Sequence, residues 1–528
     1  MDQQRAWEVS GVARAIMVQG TGSYVGKSLL CAGLCRLLRD AGVPVAPFKA
    51  QNMALNSFVT ADGGEIGRAQ AAQAEAAGIE PTVDMNPVLL KPASDAEAQA
   101  VLRGRVWGRV RAGGYARYLA VAWPAVQEAY ARLADAYDVV VIEGAGSPAE
   151  LNLWDRDIVN MRVAHLADAP VLLVGDIDCG GVFAALVGTL ELLPAVDRDR
   201  VRGFLINKFR GDSSLLAPGL RFLEERTGRP VLGVIPYLRD LALPEEDGVP
   251  LEESVRRRMG RQGDVQVGVI LLPHIANFTD FDALAAEEGV GLRYAAGPGE
   301  LAGADVAILP GSKNTIEDLL WLRQRGFAAA LRRHRDAGGL VVGICGGFQM
   351  LGRRIEDPAH METDLGSVDG LAFLDVHTTL ARTKATHRVR VEGLAATPFA
   401  GAGPAGGYEI HLGETARGPR AAPLFRLRRE GDGHAEILDG ALAPDGRTWG
   451  TYVHGLFDEG AVRRAFADWV RAAKGLASLK APPGPAAASL RNAAYDRLAE
   501  TLRRHVDLSA LGSLLGLPLR KEVVPARV

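Results

Sequence analysis

The chain has 528 residues, 48% hydrophobic and 23% charged, a composition that excludes a disordered polymer and a length that predicts roughly two to four domains at about 150 residues each. Its formal net charge of −3 leaves no cationic field to hold a polyanion, which argues against nucleic acid as a partner. The longest apolar runs stop at Glu143 and Asp176, far short of the ~20 residues of a membrane helix, and the first ten residues lack a secretory signal, so a cytoplasmic protein without membrane partners is expected.

In chain order, the first apolar run is Ala15 to Val18, followed by Gly20-Thr21-Gly22-Ser23-Tyr24-Val25-Gly26-Lys27-Ser28 and a helical pattern at Leu30, Leu34, Leu37 and Leu38. Strand, glycine loop, GKS and helix form the context of a P-loop. Backbone N–H groups of such a loop face phosphate oxygens, Lys27 adds a point charge and the Ser28 hydroxyl is placed to ligate Mg²⁺. Gly20, Thr21, Gly22, Ser23, Val25, Gly26, Lys27 and Ser28 are therefore the candidate ATP contacts, although Thr21 stands where the common pattern has its first glycine. Cys31 and Cys35 share one face of the same helix and read as small core residues.

Further runs follow at Val45 to Phe48, Val139 to Ile142, Val171 to Val174, Phe204 to Ile206 and Val231 to Ile235. Runs apolar throughout imply strands covered on both faces, hence a parallel α/β sheet with its chemistry at the carboxyl ends. Only nine of the sixty cations are lysine, which makes Lys27, Lys49 and Lys208, all at strand ends, candidate phosphate contacts. Glu143, before Gly144-Ala145-Gly146, is either a Mg²⁺ ligand or a helix cap. Asp176 and Asp178 either face the metal or cap the next helix.

The charged stretch Leu251 to Asp264 reads as a linker between a first domain over 12–250 and a second over 264–470. The second repeats the α/β pattern, with runs at Val267 to Leu271, Val306 to Leu309 and Leu340 to Ile344 and a helical span from Thr315 to Arg335. A tail over 481–528 opens with a Pro/Ala/Gly-rich break and continues as an amphipathic helix, Leu490 to His505, expected to pack back on the body.

In the second domain, the run Leu340 to Ile344 enters Gly343-Ile344-Cys345-Gly346-Gly347. This G-x-C-x-G pattern has the form of a nucleophile elbow. A thiol there lies at a helix N-terminus, with the N–H of Gly346 and of Gly311, in Pro310-Gly311-Ser312-Lys313-Asn314, as candidate oxyanion donors. Among the histidines, His454 at the end of a β-rich run is the candidate base, with His411 as competitor.

The thiol segment GICGGFQMLG, Gly343 to Gly352, downstream of a variant P-loop resembles the cobyric acid synthase branch of glutamine amidotransferases. Gln51 to Asn56, Glu143 to Glu150, Asp157 to Met161, Asn277 to Asp282 and Pro310 to Thr315 carry the same resemblance, which spans about Ala15 to His505. It implies two doubly wound α/β domains, the first similar to dethiobiotin synthetase and the second to the class I glutaminases. Most class I enzymes carry a glutamate two residues after the histidine; Leu456 stands there, and the resemblance implies a Cys345 and His454 dyad. Cys179 stands where the branch's GDIDRGG segment has arginine.

The implied reaction is MgATP- and glutamine-dependent amidation of the b, d, e and g carboxylates of a corrinoid, adenosylcobyrinic acid a,c-diamide, through acyl phosphates. Lys49 joins the ATP contacts, Ser28 and Glu143 the metal site, and Asp157, Asn160, Asp176 and Asp178 the substrate site. Competing readings are an amidoligase for cobyrinic acid or a cell-wall lipid precursor, and a P-loop switch ATPase whose thiol domain is vestigial.

Overall fold

The computed structural model describes residues 13–94, 97–239, 241, 243, 263–431 and 435–519. All six apolar runs of the first domain form one parallel sheet, in the order Val231–Pro236, Val201–Phe209, Val171–Asp176, Arg14–Gly20, Val139–Glu143, Val45–Phe48. The strand Val139–Glu143 is buried at every position, as a strand covered on both faces must be. The P-loop strand lies inside the sheet, so its loop emerges in the middle of the carboxyl edge.

The second sheet runs Val290–Ala295, Val265–Ile270, Val306–Leu309, Leu340–Ile344, Thr448–Thr451, Ala441–Leu442, and only the last pair is antiparallel. The expected helical span from Thr315 to Arg335 is two helices, Thr315–Gln324 and Phe327–Asp336, separated at Gly326, whose φ of 83° no continuing helix adopts. Most of the expected linker falls outside the described residues.

The tail helix Ala487–His505 lies on the first domain's helix Lys27–Asp40. Tyr495, Leu498 and Leu502 join the core with Cys31 and Cys35, and Arg36 pairs with Asp496 at 2.5 Å. Each fully buried leucine contributes about 1.5–3 kcal/mol, so the end of the chain closes one face of the first domain.

Two mostly antiparallel insertions join the domains, the one parallel pair of the first being Gln51–Met53 with Val88–Ser94. The first domain carries Gln51–Met53, Val88–Ser94, Glu97–Leu102 and Arg105–Arg111 as one small sheet, and the hairpin Ser57–Val59/Glu65–Gly67 beside it. The second carries the long pair Val376–Gly393 and Ala405–Arg417. Where they meet, Val59 packs with Tyr408 and Ile410, Thr386 donates to Gly63 O at 2.8 Å and Arg388 to Val59 O at 2.9 Å. Among the described residues, no helix is long and apolar enough to cross a membrane.

Candidate active sites

At the first site, Gly26 has a φ of 99°, and a Cβ there would lie 2.2 Å from Asn207 Nδ2. Glycine is what the turn into helix Lys27–Asp40 requires. Lys27 Nζ donates to Gly22 O at 2.9 Å and Gly146 O at 3.2 Å. The loop is gripped from the strand Val201–Phe209, two places along the sheet: Asn207 donates to Val25 O at 2.8 Å, and Lys208 Nζ to Tyr24 O at 2.7 Å while pairing with Asp176 at 2.7 Å.

Ser28 Oγ donates to Glu143 Oε1 at 2.7 Å, and Lys49 Nζ reaches the same oxygen at 2.8 Å. Gln73 donates to Oε2 at 2.5 Å, with Gln70 at 3.3 Å. The buried Glu143 thus has both oxygens engaged, without which its desolvation would cost several kcal/mol. It caps no helix, since the next helical turn, Leu151–Arg156, starts after Glu150. A hydroxyl and a carboxylate are hard oxygen donors suited to Mg²⁺. No cluster of three ligating side chains occurs among the described residues, so phosphates and water would complete the shell.

The other acidic candidates divide. Asp176 accepts from the Asp178 N–H at 2.9 Å besides holding Lys208, and the exposed Asp178 pairs with Arg210 at 2.7 Å. Neither caps the following helix, Val182–Leu192, whose N-cap is Gly181. Asp157 accepts from the N–H groups of Val159 and Asn160 at 2.7 and 3.1 Å. Asn160 is buried and clasps Ala145 through both amide groups, at 3.1 and 2.8 Å; it fixes the turn behind Glu143 and does not face solvent. Cys179 is exposed with Sγ 3.5 Å from Asp176, whose charge pushes the thiol up.

At the second site, Cys345 links the strand Leu340–Ile344 to helix Gly346–Leu351 with φ 52° and ψ −110°, a strained conformation for a residue with a side chain. Close packing fixes the elbow, since a Cβ on Gly347 would stand 1.9 Å from Leu309 O. Sγ is buried, 3.6 Å from Ile410 O. Parallel pairing of Ile344 with Thr451 brings the C-terminal strand alongside. The chain then crosses to the other sheet, where His454 pairs with Tyr408 and lies under its ring at 5.2 Å.

His454 Nδ1 lies 2.6 Å from Asp280 Oδ2, and the Gly455 N–H donates to Asp280 Oδ1 at 3.0 Å. Burial pushes the imidazole down, but the charges of Asp280 and Cys345 and hydrogen bonds to both push it up to about 10. The pair implied by the sequence is therefore a group of three. Asp280 lies in the segment Asn277 to Asp282 that the sequence singled out, without a role; its visible signal is an acid between Phe278 and Phe281, where only a partnered carboxylate is stable. His411 also borders the site, but its Nδ1 faces Gly413 O at 3.0 Å and its ring stacks on Tyr452 at 3.7 Å.

Gly311 lies against His454, its hypothetical Cβ 3.2 Å from His454 Cε1, and that of Gly346 would be 2.9 Å from Ser312 N. Both glycines thus border the elbow. Gln349 donates to Leu412 O and Tyr452 Oη at 2.8 and 3.0 Å.

One segment of the first domain touches both sites. The Phe278 N–H donates to Asn56 Oδ1 at 3.0 Å and the Ser57 N–H to Asn277 Oδ1 at 2.9 Å. The Asn277 amide is 3.4 Å from His454 Nε2. The Arg68 N–H then donates to Asn56 O at 3.2 Å, and helix Arg68–Ala77 carries Gln70 and Gln73 to Glu143.

Residues 16–251 match the CobQ/CobB/MinD/ParA nucleotide binding domain, and residues 266–462 the CobB/CobQ-like glutamine amidotransferase domain. The chain is 51% identical to the cobyric acid synthase of Pelotomaculum thermopropionicum, over 96% of its length and 97% of that protein's. It is 48% identical to that of Syntrophobacter fumaroxidans, over 96% and 99%, and 50% identical to that of Salmonella gallinarum, over 94% and 97%.

Proposed function

The chain belongs to the cobyric acid synthase family of glutamine-hydrolysing amidoligases, and from that premise we propose that it amidates the b, d, e and g carboxylates of adenosylcobyrinic acid a,c-diamide in the cytoplasm. Residues 12–250 form the ATP-dependent half and 264–470 the glutaminase. The observation that carries the reading is the buried His454–Asp280 pair beside Cys345, in one chain with a P-loop whose Ser28 meets Glu143.

In the glutaminase, the Cys345 thiolate attacks the carboxamide carbon of glutamine while the N–H groups of Gly346 and Gly311 receive the oxyanion. The His454 imidazolium, oriented by Asp280, gives its proton to the departing ammonia. Water, deprotonated by His454, then cleaves the thioester to release glutamate and the thiol. At the phosphate site a corrinoid carboxylate attacks the γ-phosphate, ADP leaves, and ammonia displaces phosphate from the acyl phosphate. Lys27, with Gly20, Thr21, Gly22, Ser23, Val25 and Gly26, cradles the phosphates. Ser28 and Glu143 would hold Mg²⁺, which neutralises phosphate charge, and Lys49 balances Glu143.

Asp176 and Asp178 stand at the edge where the corrinoid arm docks, while Asp157 and Asn160 act through the loop they fix. A vestigial thiol domain is disfavoured, because a strained cysteine and a buried imidazole–carboxylate pair are costly features without use.

The test measures glutamate, ADP and amide from MgATP, glutamine and the a,c-diamide. Cys345→Ala is expected to lower glutamine-dependent amidation on the order of 10⁴-fold or more while amidation with added ammonium continues. ATP hydrolysis without amide formation by the unaltered protein would sink the substrate assignment.

A further inference from the structure

The cavity that opens on Cys345 and His454 continues to a group of charged side chains that no step above uses. Lys313, Glu362 and Lys384 line it from the second domain, and Lys91 and Gln99 from the first. Two of its three ammonium groups are already matched: Lys384 and Lys91 hold the two oxygens of buried Glu65 at 2.6 and 2.8 Å. Lys313 differs. Among the described residues its ammonium has no carboxylate within ion-pair range, and burial, reinforced by the charge of Lys91, pushes its pKa down.

Glu362 is fixed from behind. Its Oε2 accepts from the Ile316 N–H at 3.0 Å, and its loop is folded on buried Asp357, which accepts from the N–H groups of Met361, Glu362 and Thr363 at 2.7, 2.8 and 3.0 Å. Burial raises its pKa to about 7 against the pull of that N–H and of Lys313. A cation and a carboxyl therefore border one cavity without pairing with each other. One more polar atom of its lining, Gln99 Oε1, is buried without a hydrogen-bond partner, a condition that a bound polar ligand relieves.

We propose that Lys313 and Glu362 receive the α-carboxylate and α-ammonium of the glutamine whose carboxamide is attacked by Cys345, and that Gln99 of the first domain completes this subsite. The proposal rests on the glutaminase reading of Cys345. A zwitterion needs one unmatched charge of each sign, which this wall offers. A free phosphate would meet Glu362 as a repulsive neighbour, and ammonia needs neither charge. Since Gln99 belongs to the first domain, glutamine is read at the domain boundary and the subsite is whole only when the domains are docked.

The experiment compares hydrolysis of glutamine, 4-aminobutanamide (no α-carboxylate) and 4-carbamoylbutanoate (no α-ammonium) by the full-length protein. The unaltered enzyme should prefer glutamine to either on the order of 100-fold or more in kcat/KM, because a truncated substrate leaves a buried charge unmatched. Lys313→Met should collapse the preference over 4-aminobutanamide alone and Glu362→Gln that over 4-carbamoylbutanoate alone. Lys313→Arg should restore part of the first preference, which mere loss of folding would not allow. Gln99→Leu should raise KM for glutamine several-fold, and an unchanged KM would remove the first domain from the subsite. Variants that lose all three substrates in equal proportion, or an enzyme that does not discriminate among them, would overturn the proposal. If Cys345→Ala hydrolyses glutamine as well as the unaltered protein, the glutaminase reading itself fails.

Discussion

The phosphate site and the thiol site start from the same device, a central parallel strand that ends in a tight turn and feeds a helix. They differ in what surrounds the turn. Around the P-loop, one contiguous run supplies the cradle, and the adjacent charges are matched: Glu143 with Lys49, and Asp176 with Lys208. Around Cys345 the partners come from Asn277 to Asp280, Gly311 and His454, and the first domain's Asn56 and Ser57 hold the Asn277 segment. Holding a polyanion takes an array of N–H groups, which a short loop supplies. Activating a nucleophile takes separate groups at fixed distances, which only converging segments supply.

The sharpest way to test this difference is Asp280→Asn. It removes the charge that keeps His454 protonated and should lower glutamine-dependent kcat/KM by about 10²- to 10⁴-fold, leaving ammonium-dependent amidation near its starting rate. The pH dependence follows from the raised imidazole value of about 10. A group raised on folding lends stability that is complete below its unfolded value, about 6.5, and is lost as pH climbs through the folded one. His454 should therefore titrate near 10 by NMR in the unaltered protein and markedly lower in Asp280→Asn; an unmoved titration would separate Asp280 from the imidazole.

A matched pair of glycine changes asks whether the sites are independent. At Gly347→Ala the new Cβ meets the backbone oxygen of Leu309, and at Gly26→Ala it meets Asn207 with φ at 99°. Each displaces its own turn and should reduce its own half-reaction about 100-fold: glutamate release for the first, ammonium-dependent ADP formation for the second. If either change silences both halves equally, the comparison breaks.

The smallest expected effect lies on the bridge between the sites. Asn56→Ala leaves the buried Phe278 N–H without its acceptor, a loss of about 1–2 kcal/mol. Glutaminase kcat/KM should fall roughly 5- to 30-fold, read by glutamate release, although Asn56 belongs to the other domain. An unchanged value would mean that the contact joins the domains without steering the thiol site.

Legibility followed the same division. The six strands of the first sheet were readable because a strand buried on both faces is apolar at every position. The insertions were not: Val376–Gly393 loses its alternation of buried and exposed residues in its half-exposed middle, around Arg382 to Arg388, where its sequence stands out little from a surface loop. Asp157 and Asn160 were legible as a motif, yet the pattern did not say that Asn160 turns inward to Ala145.

By itself, the sequence determined the α/β class, the P-loop and the cysteine elbow, because each is set by contiguous residues whose backbone preferences and polarity act locally. Only the tertiary structure decided that Asp280 serves His454, that Glu143 is tied to Ser28, Lys49 and Gln73, and that Lys91 and Glu65 of one domain meet Lys384 of the other. Those pairings depend on which strands lie side by side and how two insertions dock. That order is fixed by burial of the whole core, and no local stretch of chain encodes it.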